Sequence, residues 1–168
     1  MKKTLMMTIL TLFVLATVGN VFGEEMAKEG LESGKNYVTG TAKALPMGEE
    51  RLQLTYEGSG IYMSDIEGGF LNNASVHVLG ALHAVKGAFE EDSGSMVLTV
   101  PDGDKAFVTY KGSGNLGKDA KGTFTYVGGT GKFTGITGGG EFTRSHLQPA
   151  SKGGWSAISL FKGNWKLP

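Results

Sequence analysis

The chain has 168 residues, with 28 glycines, 4 prolines and no cysteine, and its 16 basic and 16 acidic residues cancel. No disulfide scaffold or cysteine-ligated metal site is possible, and basic residues scattered one at a time leave no footprint for nucleic acid. Glycine at this density, costing roughly 1 kcal/mol at each helix-interior position, disfavours helices, while the lack of a three-residue glycine period excludes collagen.

The first segment reads as a secretory signal. Lys2 and Lys3 precede an apolar run over 5–16, and small residues lead to Gly23 before Glu24 and Glu25. That run is shorter than the ~20 residues that span a bilayer, so cleavage and release are expected rather than anchoring. The short two-lysine start has a bacterial look, placing the product in the periplasm or the external medium with no membrane attachment after cleavage. Taking Lys2 and Lys3 from the 16 basic residues leaves 14 against 16 acidic. The sequence predicts a signal peptide over 1–23, a charged, flexible lead-in over 24–35, and one domain over 36–168.

Within that domain, period-two alternation dominates. Residues 51–57, Arg-Leu-Gln-Leu-Thr-Tyr-Glu, alternate strictly, with Leu52, Leu54 and Tyr56 on the inner face. In chain order, strands are predicted over 37–44, 51–57, 74–82, 96–100, 106–111, 123–127, 140–144 and 155–165. Pro101-Asp102-Gly103-Asp104 is a hairpin turn, because Asp-Gly readily supplies positive φ. The carboxylate runs Glu49-Glu50 and Glu90-Glu91-Asp92 read as solvated turns. Long helical periodicity is missing, so the prediction is an all-β fold of about eight antiparallel strands. Glycines inside strands, at Gly58, Gly60, Gly80 and Gly112, favour a closed barrel over a sandwich because coiled strands need kinks where they turn a corner.

A weak internal repeat points to candidate ligand-binding groups. Leu54-Thr55-Tyr56-Glu57-Gly58-Ser59-Gly60 recurs as Val108-Thr109-Tyr110-Lys111-Gly112-Ser113-Gly114, and Phe124-Thr125-Tyr126-Val127-Gly128-Gly129 is a looser third copy. Each tyrosine shares a face with the apolar residue two positions earlier. Tyr56, Tyr110 and Tyr126 should therefore point inward, either plugging the barrel or lining one mouth of a cavity.

Tests for catalytic and metal chemistry give less. His77, His83 and His146 lack metal-ligand spacing, so no metal and no cofactor are expected. His77, between Val76 and Val78, and Glu141, beside Phe142, are the candidate acid or base residues, Glu141 only if it rather than Phe142 faces the cavity. The run Val127-Gly128-Gly129-Thr130-Gly131-Lys132-Phe133 invites comparison with a phosphate loop. It fails because Phe133 stands where serine or threonine belongs and Tyr126 where the first glycine belongs.

The segment from Tyr126 through Gly128-Gly129-Thr130-Gly131-Lys132-Phe133 to Phe142 resembles the Gly-Gly-Thr-Gly-Lys-Phe segment of the allene oxide cyclase and dirigent barrels. It is more similar still to small bacterial domains of the same barrel. The resemblance implies a glycine turn, a short helical bend near 131–136 anchored by Phe133 and Ile136, and, from the plant barrels, a trimer. No catalytic residue carries over by position, and a fold hosts many activities. Three functions follow as expectations: a barrel binding a small apolar or amphipathic molecule, a cofactor-free isomerase or cyclase acting on a lipid-derived or phenolic substrate, or a filled barrel with a structural role, as monomer or homo-oligomer.

Overall fold

The computed structural model describes residues 27–149 and 151–168. The expected signal peptide over 1–23 and the start of the lead-in, 24–26, lie outside the described residues. The remainder forms eight antiparallel strands: β1 (Glu29–Pro46), β2 (Arg51–Ser64), β3 (Ala74–Val85), β4 (Ala88–Thr99), β5 (Lys105–Asn115), β6 (Ala120–Gly129), β7 (Thr137–Leu147) and β8 (Gly154–Lys166). Each strand pairs with the next, and β1 also pairs with β8, closing an up-and-down barrel without free edges. Among the described residues a single 3-10 turn, Gly131–Phe133, joins β6 to β7.

Each predicted strand falls within or close to an observed one, since alternation survives wherever one face is wet and the other is not. Two boundaries need correction. Residues 29–35 belong to β1 rather than to a lead-in: Glu29 pairs with Lys166, and Gly34 lies between Phe161 and Ser64. Their charged appearance misleads because Glu32 is the inward residue, buried among tyrosines. Glu90, Glu91 and Asp92 are likewise part of β4: Asp92 points into the barrel in phase with Met96 and Leu98, and a register shift between Phe89 and Asp92 lets Phe89 point inward as well.

Closure of so narrow a barrel depends on glycine. Alternate hairpins, β1–β2, β3–β4, β5–β6 and β7–β8, each carry one cross-strand glycine pair: Gly40 with Gly58, Gly80 with Gly94, Gly112 with Gly122, and Gly140 with Gly163. A methyl group on Gly40, Gly94, Gly122 or Gly140 would overlap a carbonyl oxygen of the neighbouring strand. The pairs let adjacent backbones approach and coil more sharply than side chains would permit.

One end of the barrel is sealed. Phe133 and Ile136, from the bend after β6, enter it with Leu71, Trp165 and Leu167, all buried. Phe70 packs against Trp165 at 4.4 Å between ring centroids and against Phe133 at 5.6 Å. The bend is clipped to the β4–β5 turn: Lys132 N–H donates to Asp104 Oδ2 at 2.9 Å, and Lys132 Nζ lies 2.5 Å from Asp102 Oδ2. Hydrogen bonding to Lys132 holds the Asp102 carboxyl below its ordinary pKa. These contacts give the Gly-Lys-Phe motif a structural role, with its lysine committed to the hairpin.

Replacing Gly140 by alanine should cost about 1–3 kcal/mol in urea unfolding, the range for overpacking, because the overlap is with backbone rather than a flexible side chain. Gly87→Asn, at φ 81° in the β3–β4 turn with open space around it, should stay within about 0.5 kcal/mol of wild type.

Candidate functional site

The repeat that singled out Tyr56 and Tyr110 has a geometric meaning. One cross-strand row runs Tyr56, Gly80, Gly94, Tyr110 over β2 to β5. The two middle positions lack side chains, and both rings lie in the space this leaves; a methyl on Gly80 would strike both tyrosines. Their hydroxyl oxygens meet at 2.5 Å.

Two charged residues complete a network across the bore. Asp92 of β4 is 1% exposed; its Oδ1 accepts from the Tyr56 hydroxyl, and its Oδ2 accepts from Arg144 Nη1 at 2.7 Å. Arg144 follows Phe142 by two on β7, so both point inward, and its guanidinium lies 5.2 Å from the Phe142 ring centroid and 5.5 Å from that of Tyr110. Nε of Arg144 reaches Ser159 Oγ at 3.4 Å. The single Tyr56 proton is given to Asp92, so Tyr110 donates to Tyr56. The order is Tyr110 to Tyr56 to Asp92, with Arg144 donating to Asp92 from the other side.

Burial dominates the titration of these groups, because the charged form of a phenol would be stranded in the interior. Tyr110 is pushed up to about 12, eased by its hydrogen bond with Tyr56 and by Arg144; Tyr56 is pushed higher still, with Tyr110 and Asp92 adding to the effect of burial. Both phenols stay protonated at neutral pH. Desolvation works against the Arg144 charge, but Tyr56, Asp92 and Tyr110 outweigh it and raise its pKa.

Above this floor, towards the end of the barrel away from the 3-10 turn, the bore is open. A cavity of about 220 Å³ is walled by Ala42, Leu54, Leu82, Phe89, Leu116 and Trp155, with Tyr56, Asp92 and Arg144 beneath and His146 at the side. Desolvation, and then the charge of Arg144, hold His146 below the ordinary imidazole pKa, although Asp92 and Asp119 pull the other way. Below the floor, Met96, Leu98, Val108, Phe124 and Phe161 leave a void of only about 10 Å³. The floor divides a hollow compartment from a filled one.

The filled compartment holds a second buried polar cluster. Glu32 accepts from the Tyr62 hydroxyl through Oε1 and from the Tyr126 hydroxyl through Oε2, the latter at 3.4 Å. Burial raises the Glu32 pKa above the ordinary carboxylate value, opposed by these two hydrogen bonds.

All three sequence-predicted tyrosines point inward, but they do not form one ring. Tyr126 pairs with Val108, whereas Tyr110 pairs with Phe124, so Tyr126 lies one inward layer deeper, in the filled compartment with Glu32. The candidate acid and base residues are misplaced for work inside the barrel. His77 is exposed on the outer wall, 2.8 Å from Glu57 Oε1, because Val76 and Val78 take the inward positions. Glu141 also faces outward, as alternation with the buried Phe142 requires. Asp92, Arg144 and Glu32 were missed. Counting by twos from Phe142 would have reached Arg144, and from Leu98 and Met96 through Gly94 would have reached Asp92.

No protein-family model matches the chain, and no curated protein is significantly similar to it.

Two stability measurements follow from the buried networks. Tyr56→Phe leaves Asp92 Oδ1 without its donor and should cost about 1–3 kcal/mol in urea unfolding, whereas Tyr37→Phe, on the exposed wall, should change stability by less than about 0.5 kcal/mol. Because Glu32 is raised in the folded state, its contribution is fully present below the unfolded-state pKa and is lost as pH rises through the folded-state value. The wild type should therefore lose stability relative to Glu32→Gln as pH rises above the ordinary carboxylate range, which urea midpoints of the two proteins measure directly.

Proposed function

We propose that the protein binds a small apolar or amphipathic molecule in the open compartment. The observation that supports this most strongly is the asymmetry of the bore: about 220 Å³ free above the Asp92–Arg144 floor and about 10 Å³ below it, in a barrel class that side chains can fill completely. The free space exceeds the ~150 Å³ apolar cavity that admits benzene, so the ligand is a compact ring or short branched chain rather than a long lipid. Apolar walls supply affinity and a few polar groups supply orientation. Tyr56 is the one sequence-predicted tyrosine that lines this compartment, with Tyr110 behind it and Tyr126 outside it. Such a role suits a secreted or periplasmic protein, with export resting on the leader sequence.

One observation favours a second reading, a cofactor-free isomerase. His146 borders the compartment, and the lowering of its pKa leaves a neutral imidazole that can accept a proton at neutral pH. The floor itself offers no such group, since its phenols are held protonated and both Asp92 oxygens are engaged.

Native mass spectrometry of periplasmically purified protein, followed by extraction, tests both readings and reports subunit number. The binder reading predicts a stoichiometric small ligand, recovered chemically unchanged after rebinding. Leu82→Trp, which places an indole in the cavity, should abolish uptake while the far-ultraviolet spectrum stays that of wild type. A ligand converted on incubation by wild type but not by His146→Gln would establish the isomerase. Equal uptake by wild type and Leu82→Trp would reject the compartment as the binding site.

A further inference from the structure

We propose that the ligand of the open compartment carries a carboxylate, seated on the Arg144 guanidinium at the floor with His146 as a second donor at the side. This rests on the binding reading above and adds the chemical class of the ligand.

The case comes from counting donors and acceptors. At the floor, each Asp92 oxygen already accepts a hydrogen bond, one from Tyr56 and one from Arg144. The phenolic protons are spent as well, that of Tyr110 on Tyr56 and that of Tyr56 on Asp92. Arg144 differs. A guanidinium has five N–H donors, and among the described residues Arg144 spends one on Asp92 and one on Ser159. Allowing another for the adjacent Tyr110 hydroxyl still leaves N–H groups over. No buried side-chain nitrogen or oxygen among the described residues is both enclosed and unpaired. No Arg144 nitrogen is therefore both enclosed and without a partner, and Arg144 lines the cavity.

The spare N–H groups of Arg144 thus invite an acceptor on the ligand. A ligand presenting a hydroxyl or amine proton there would have to share the Asp92 oxygens with Tyr56 and Arg144, whereas an acceptor meets Arg144 N–H groups that no protein atom takes up. A carboxylate matches the fork geometry of a guanidinium and makes the stronger, charge-assisted bond. Its second oxygen can accept from His146, which also lines the cavity; the remaining nitrogen there, Trp155 Nε1, already donates to Thr41 O at 3.1 Å. The remaining wall is apolar, which fits an aromatic or short branched carboxylic acid and leaves no place for a second charged group.

Isothermal titration of the wild-type protein with three probes of matched shape decides the matter: 4-ethylbenzoate, 4-ethylbenzyl alcohol and 4-ethylbenzylamine. The carboxylate should bind at least about tenfold more tightly than the alcohol, the low end for a hydrogen bond to a charged group, and the amine most weakly. His146→Gln should reduce the carboxylate's advantage several-fold without changing the alcohol's affinity, a comparison that leaves the Asp92–Arg144 pair intact. An alcohol or amine that binds as tightly as the carboxylate would overturn the assignment of ligand class and leave the binding reading standing. If none of the three probes binds, the binding reading falls and the ligand class falls with it.

Discussion

Two opposite charges cannot be buried in a narrow barrel unless they meet, and Asp92 and Arg144 meet at 2.7 Å from strands β4 and β7, three strands apart around the wall. Much of the interior depends on that meeting. Tyr56 and Tyr110 complete the hydrogen bonding of the carboxylate, and glycines at 80 and 94 make room for their rings. Replacing such a pair by apolar residues is often neutral for stability, while removing one partner typically costs 3–5 kcal/mol, so the pair is better understood as a specifying device than as a source of stability. What it specifies here is a boundary. Side chains fill the bore on one side of it, and on the other they do not.

The two ends of the barrel differ for reasons visible in their connections. At the sealed end, the β6–β7 connection drives Phe133 and Ile136 into the bore, and Phe70, Leu71, Trp165 and Leu167 close around them. At the open end, the β3–β4 turn is only Lys86 and Gly87, both with positive φ, too short to fold back over the mouth. Leu116 alone of the β5–β6 connection contributes an apolar wall there. A stable scaffold with one hollow end follows from this division, with the aromatic packing of the sealed end independent of whatever occupies the other.

Much of the architecture was legible in the sequence because it rests on period-two alternation, on Asp-Gly turn chemistry and on glycines within strands. Phe133 and Ile136, three apart between glycines, likewise announced the plug. The site was legible only in part, and the failures share one cause. Charged residues in runs, such as Glu90-Glu91-Asp92 and the segment around Glu32, read as solvated, yet in each run one member is in phase with the core. A register shift after Phe89 hides that phase for Asp92, and glycines two positions away on either side, Gly30 and Gly34, hide it for Glu32. The tyrosine repeat identified inward positions correctly but not their depth, since depth depends on register between strands: Tyr126 opposes Val108, a layer away from Tyr110. His77 and Glu141 show the converse error, chemistry-bearing residues singled out by type although alternation with Val76, Val78 and Phe142 already placed them outside.

The central claim is that the bore is hollow on one side of the Asp92–Arg144 floor and filled on the other. Methyl spectra of the protein under xenon pressure test it most directly, since xenon enters dry apolar cavities and shifts the methyl groups that line them. The account predicts shifts at Leu54, Leu82 and Leu116, with Leu71 and Leu98 unmoved. Shifts spread equally over both groups, or confined to Leu71 and Leu98, would contradict it.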